Sequence, residues 1–209
     1  MDHGAPTAVW APPAPGAVGI SRRQFFNRSI ISLVGLGFSG FTGAVLAFVW
    51  PRLGIGFGSK IDAGPVDVIL ATIRDTREPF YVPAGRFYVV PYPESALGKA
   101  EDVYDATVVA GMQHGVAALY QKCPHLGCRV PFCTTAQWFE CPCHQSQYNR
   151  VGEKKGGPAP HGMDRFGVEV VDGRAIVDTS VVVIGPPIGV NTTGQEAEGP
   201  HCVDLRAGH

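Results

Sequence analysis

Two windows of six residues, Cys123-Pro124-His125-Leu126-Gly127-Cys128 and Cys141-Pro142-Cys143-His144-Gln145-Ser146, constrain this chain more than any other feature. They read C-x-H, then 15 residues, then C-x-x-H, with an extra cysteine inside each window. Two thiolates and two imidazoles are the ligand set of a [2Fe–2S] centre in which His replaces Cys on one iron. Neutral imidazoles remove negative charge from such a cluster, so its reduced state is easier to reach than in an all-cysteine one. The pattern points to electron transfer. Two plainer uses of the same residues stand beside it: a structural zinc and a pair of disulfides. Zinc would employ Cys123, His125, Cys141 and His144 but leave Cys128 and Cys143 without a purpose. A disulfide scaffold would leave both histidines idle.

The rest of the sequence suits a small β domain. Gly (27) and Pro (18) together exceed a fifth of the 209 residues, which favours a loop-rich all-β fold over a helix bundle. Strand-like runs fall at 86–90, 103–109, 116–121, 137–140, 166–171 and 174–178, and Asp172-Gly173 is a two-residue hairpin signal between the last two. Residues 92–102 read as an excursion with a short helical turn. No stretch of helical period is expected after residue 60, and both Cys/His windows fall in loops between strands. A net charge of −1 gives no general attraction to nucleic acid. Six cysteines suggest disulfides and hence an oxidising compartment. Cys133 and Cys202 either pair or remain free thiols, which spacing does not decide. His161 and His201 read as surface residues.

The N-terminal part supplies an address. Residues 1–29 are expected to form a disordered cytoplasmic tail carrying Ser21-Arg22-Arg23-Gln24-Phe25-Phe26, the pattern of a twin-arginine export signal. Residues 30–50 are uncharged and mostly apolar, long enough to cross a bilayer as a helix of about 31 Å. Trp50-Pro51-Arg52 follows in place of a small-x-small cleavage site, so the helix is expected to stay as an anchor. Arg22, Arg23 and Arg28 put the N-terminus in the cytoplasm. Gly35, Ser39, Gly43 and Ala47 line one helix face with small residues. Residues 51–60, with Gly54, Gly56 and Gly58, read as a flexible hinge before a domain at 61–184, and 185–209 as an irregular tail.

The two windows resemble those of the Rieske iron–sulfur proteins, specifically the iron–sulfur subunit of cytochrome bc-type (bc1- or b6f-like) quinol–cytochrome c oxidoreductases. The resemblance covers roughly residues 60–180. It implies an all-β domain, a small antiparallel β-sandwich with a cluster-binding subdomain, attached to one transmembrane helix. It implies that Cys123 and Cys141 bind one iron of a [2Fe–2S] cluster and His125 and His144 the other. It also implies a disulfide between Cys128 and Cys143 that clamps the two loops. Ser146 falls where the family places a hydroxyl donor to a bridging sulfide, and Tyr148 where it places a phenol donor to a ligand cysteine. Gly157-Pro158-Ala159-Pro160 looks like the loop that covers the cluster. Gln145 stands where the family usually has Gly, which suggests a different loop path, and Pro124 replaces a more usual hydroxyl residue.

The activity this implies is that of an electron-transfer subunit in a respiratory or photosynthetic chain. Reduction adds negative charge beside an iron-bound imidazole, whose free nitrogen then holds a proton more tightly, so electron and proton arrive together. Such a group suits quinol oxidation, with His144 touching the quinol hydroxyl and His125 as the second exposed ring. The implied partners are cytochrome b, a c-type cytochrome and membrane lipid, in a complex that is dimeric and sits in a bacterial inner membrane with the cluster on the outer side. The alternative class is the small Rieske subunit of an arsenite-oxidase-type enzyme. The sequence itself has no C-x-x-C-H haem-attachment motif, so haem centres belong to other subunits.

Overall fold

The computed structural model describes residues 19–50 and 57–203. They fall in two units, 1–53 and 54–209, which are considered separately.

In the first unit Ser21 caps a helix, α1 (Arg22–Val49): its hydroxyl accepts the Gln24 N–H while the Gln24 side chain returns to the Ser21 N–H. This reciprocal box starts the helix at the arginine pair, so residues 22–29 are helical where the sequence suggested an unstructured tail. Residues 1–18 lie outside the described part. At 28 residues, with a mean hydropathy of 1.9 over its most apolar 18-residue stretch, α1 is long and apolar enough to span a membrane, and none of its residues is buried against protein. Among the described residues it is the one helix with the length and composition of a membrane span, and it supports a single-pass anchor.

The second unit is built on an antiparallel sheet of six strands, with order β1 (Lys60–Pro65), β10 (Arg174–Val183), β9 (Arg165–Val171), β4 (Val116–Tyr120), β3 (Phe87–Pro91) and β2 (Phe80–Val82). The β9–β10 hairpin turns at Asp172 and Gly173, both left-handed (φ 49° and 74°), the geometry that two-residue hairpins require. Alternate residues face two apolar layers. Phe87, Val89, Val116, Ala118, Phe166 and Val177 bury one side. Tyr88, Val90, Ala117 and Leu119 face the other, where they meet Phe139 and Tyr148 of a second sheet. That smaller sheet runs β5 (Phe132–Cys133), β6 (Trp138–Glu140), β7 (Gln147–Tyr148), β8 (Lys154–Gly156).

Two helices depart from the sequence reading. α2 (Val66–Thr76) buries Ile69 and Ile73, a helical spacing present in the sequence, and ends at Arg77 in the left-handed region. α4 (Ala106–Gln113) replaces part of the strand expected at 103–109: Asp105 accepts the Thr107 N–H and so starts a helix despite its β-branched residues. Between them α3 (Leu97–Glu101) fills the expected excursion. The hinge expected at 51–60 falls largely outside the described residues. Residues 51–56 lie outside the described part; Lys60 opens β1, and 57–59 are held against the sheet, where Gly58 N–H donates to Thr179 Oγ1 (2.9 Å) and Phe57 stacks on Tyr120 at 5.4 Å.

Residues 184–203 have no regular structure, yet they are fastened along their length. Gly185 N–H donates to Asp164 Oδ1 and Thr192 to the buried Glu153, while Gln195 Oε1 accepts the Arg150 N–H. Cys202 closes a disulfide to Cys133, resolving the pairing that the sequence left open. Glu153 also accepts Tyr104 O–H and Asn149 Nδ2–H, so a fully buried carboxylate joins the segment to the end of β7 and to the connection before α4.

Candidate metal centre

The first window lies in the β4–β5 connection and the second between β6 and β7. Each closes on itself by the same pair of backbone bonds. Cys123 N–H donates to Cys128 O (2.7 Å) and Gly127 N–H to Cys123 O (2.9 Å); Cys141 N–H donates to Ser146 O (2.8 Å) and Gln145 N–H to Cys141 O (3.0 Å). The fifth residue of each window is left-handed, Gly127 at φ 83° and Gln145 at φ 63°. Gln145 adopts the conformation glycine takes in the sister loop, at a local cost of about 1 kcal/mol.

The disulfide Cys128–Cys143 ties the windows together. Cys123 and Cys141 are the cysteines outside disulfides, and both are buried. Burial pushes the Cys141 thiol up; the Cys143 N–H pulls it down, Cys123 alongside raises it again, and the His144 N–H also lowers it. Burial and the second sulfur favour the neutral thiol, while the two backbone N–H groups are donors that a metal-bound thiolate would use. In front of the sulfurs the rings of His125 and His144 stand 4.8 Å apart and nearly perpendicular, His144 exposed and His125 half-buried. The structure thus collects two buried sulfurs and two accessible imidazoles at one tip. This donor set fits a [2Fe–2S] cluster with mixed ligands.

Tyr148, fully buried, places its hydroxyl 3.2 Å from Cys123 Sγ. Burial, reinforced by the bond to Cys123, holds this phenol well above its ordinary value, so it stays protonated and can only donate to a thiolate. Ser146, also fully buried, accepts the Ala159 N–H at 3.1 Å and adjoins the Tyr148 hydroxyl. The 157–160 loop follows β8 and packs on the second window. Gly157 (φ 80°) comes so close that a Cβ there would lie 2.5 Å from Ser146 Cα. Pro158 and Pro160 are exposed, while Ala159 is buried. Two features escaped the sequence reading. Leu126 is 71% exposed beside His125, at the window position that His144 holds in the other loop. Glu140, immediately before Cys141, is a buried carboxylate paired with His201, which had read as a surface residue.

Residues 91–171 match the family model of the Rieske [2Fe-2S] domain. The cytochrome b6-f complex iron-sulfur subunit of Chlorobaculum tepidum is 31% identical over 134 residues, covering 58% of this chain and 73% of that one. The corresponding subunit of Synechococcus sp. (strain WH7803) is 30% identical over 79% of this chain and 88% of its own. The menaquinol:cytochrome c reductase iron-sulfur subunit of Geobacillus thermodenitrificans is 29% identical over 74% and 89% respectively. The chain belongs to the Rieske iron–sulfur proteins, among the iron–sulfur subunits of cytochrome bc and b6-f complexes, and its cofactor is a [2Fe–2S] cluster.

Proposed function

We propose that this chain takes an electron and a proton from a quinol and passes the electron to a c-type cytochrome, as the electron-transfer subunit of a quinol–cytochrome c oxidoreductase. The observation that carries the reading is the tip itself: the two histidine rings are accessible while both free sulfurs lie buried behind them. Cys123 and Cys141 hold one iron, and His125 and His144 the other. The bound cluster supplies a one-electron acceptor of raised potential.

The chain's own residues do the rest. With one ring nitrogen on iron, the other nitrogen of His144 accepts a hydrogen bond from the quinol hydroxyl and takes its proton. His125 presents the second exposed ring. Leu126 adds an apolar contact for the quinol at the same tip. The Cys128–Cys143 bond fixes the distance between the rings, Tyr148 donates to Cys123, Ser146 donates toward a sulfide, and the 157–160 loop keeps water from the sulfur side.

The relative from Geobacillus is named for menaquinol and cytochrome c, which supports a quinol donor and a cytochrome acceptor here. Cytochrome b in a dimeric complex is the membrane partner, docked on α1. Arg22, Arg23 and Arg28 hold the N-terminus in the cytoplasm of a bacterium. The arginine pair directs export of the folded domain.

A redox titration of the full-length protein from about pH 6 to pH 10 tests the reading. The expected potential is high and falls as pH rises, because proton uptake at the rings accompanies reduction. A low potential independent of pH would place the chain with ferredoxin-like carriers instead.

A further inference from the structure

We infer that the C-terminal segment 194–203 is a positioning element for the second window, acting on Cys141 through the carboxylate of Glu140. Glu140 ends β6 and directly precedes Cys141, and its side chain is 1% exposed. All three of its donors come from that segment. Oε1 accepts His201 Nδ1–H at 2.6 Å, and Oε2 accepts the Cys202 N–H at 2.7 Å and the Val203 N–H at 2.9 Å. An unpaired carboxylate at this depth would be expelled toward water and drag the strand end with it. Three donors hold it in place instead.

The segment is itself anchored to the β5–β6 hairpin. Cys202 is covalently joined to Cys133, Thr135 Oγ1–H donates to Pro200 O at 2.6 Å, Glu198 N–H donates to Ala136 O, and the His201 ring lies 5.1 Å from that of Trp138. The Glu140 N–H in turn donates to Pro131 O at the end of the first loop. One residue therefore links the C-terminal segment, the first loop and a ligand cysteine.

The arrangement also has an electrostatic side. A negative charge one residue from a ligand sulfur opposes the addition of an electron, and donors that spread this charge weaken the opposition.

This inference rests on the assignment of the cluster to Cys123, His125, Cys141 and His144. The test uses the full-length, cluster-loaded protein in detergent, with iron, acid-labile sulfide and midpoint potential measured side by side. Glu140→Gln keeps an acceptor at the same place without the charge. It should retain wild-type iron and sulfide while its potential rises, whereas Glu140→Ala should lose the cluster several-fold faster on warming. His201→Ala leaves both disulfides and the folded segment intact and removes one donor, and should lower the potential. Should Glu140→Gln fail to assemble, the potential of His201→Ala decides alone. Wild-type potentials in the assembled variants would overturn the inference. Wild-type protein lacking iron and sulfide would instead refute the cluster assignment, a failure that the metal analysis distinguishes.

Discussion

Replacing Tyr148 by Phe removes one oxygen atom and nothing else from the core. The ring is fully buried against Tyr88 and Phe139's layer, so the phenyl group keeps its packing. What is lost is the hydroxyl 3.2 Å from Cys123 Sγ. A hydrogen bond to a charged acceptor is worth about 1.5–3 kcal/mol. It is present in both redox states, so only its strengthening on reduction moves the potential. Taking that share as roughly a half gives about 0.7–1.5 kcal/mol, and with about 1.4 kcal/mol per 60 mV for one electron, a fall of about 30–65 mV. The assay is a potentiometric titration followed by EPR, with iron and sulfide quantified to show that the cluster is intact. Because burial holds the phenol protonated, the drop should be the same at every pH of the titration. An intact cluster whose potential does not move would refute the donor role; a drop that vanishes toward alkaline pH would refute the claim that the phenol stays protonated.

Two further perturbations probe the clamp and the covering loop. Cys128→Ser opens a disulfide whose partners are 15 residues apart, a constraint worth about 3 kcal/mol in the chain-entropy account; the cluster's visible absorbance should bleach within a purification, and a stable spectrum would contradict the clamp. Gly157→Ala forces a left-handed alanine with its Cβ against the Ser146 backbone, so the loop must lift: the melting temperature should fall by several degrees, for a loss of about 1–3 kcal/mol, and the cluster should become more accessible to chelators. An unchanged melting curve would show that the loop is not held there.

The metal centre was legible because its chemistry is concentrated in two short windows whose ligand types few other proteins need together. The strands at 116–120 and 165–183 were legible for a similar reason, since alternation and the Asp172-Gly173 turn are local signals. Helix α4 was misread because Val108 and Val109 favour strands in isolation, while the decision lay with the Asp105 cap. Helix α2 was missed although Ile69 and Ile73 carry its period, because two buried positions in 11 residues make a short signal beside a Gly- and Pro-rich composition that favoured strands. Least visible were the contacts of the C-terminal segment. Glu140, Glu153 and Thr192 look like surface residues by type, and only the path of a distant, irregular chain buries them.

The twin backbone closure of the ligand windows divides the shaping of the site between local bonds and one long-range link. Each loop is completed by bonds within six residues, so its ordering entropy is settled locally and does not depend on the chain between the windows. Each window holds one sulfur and one ring in a frame of its own, and the Cys128–Cys143 bond has only to set the distance between two loops that are already shaped.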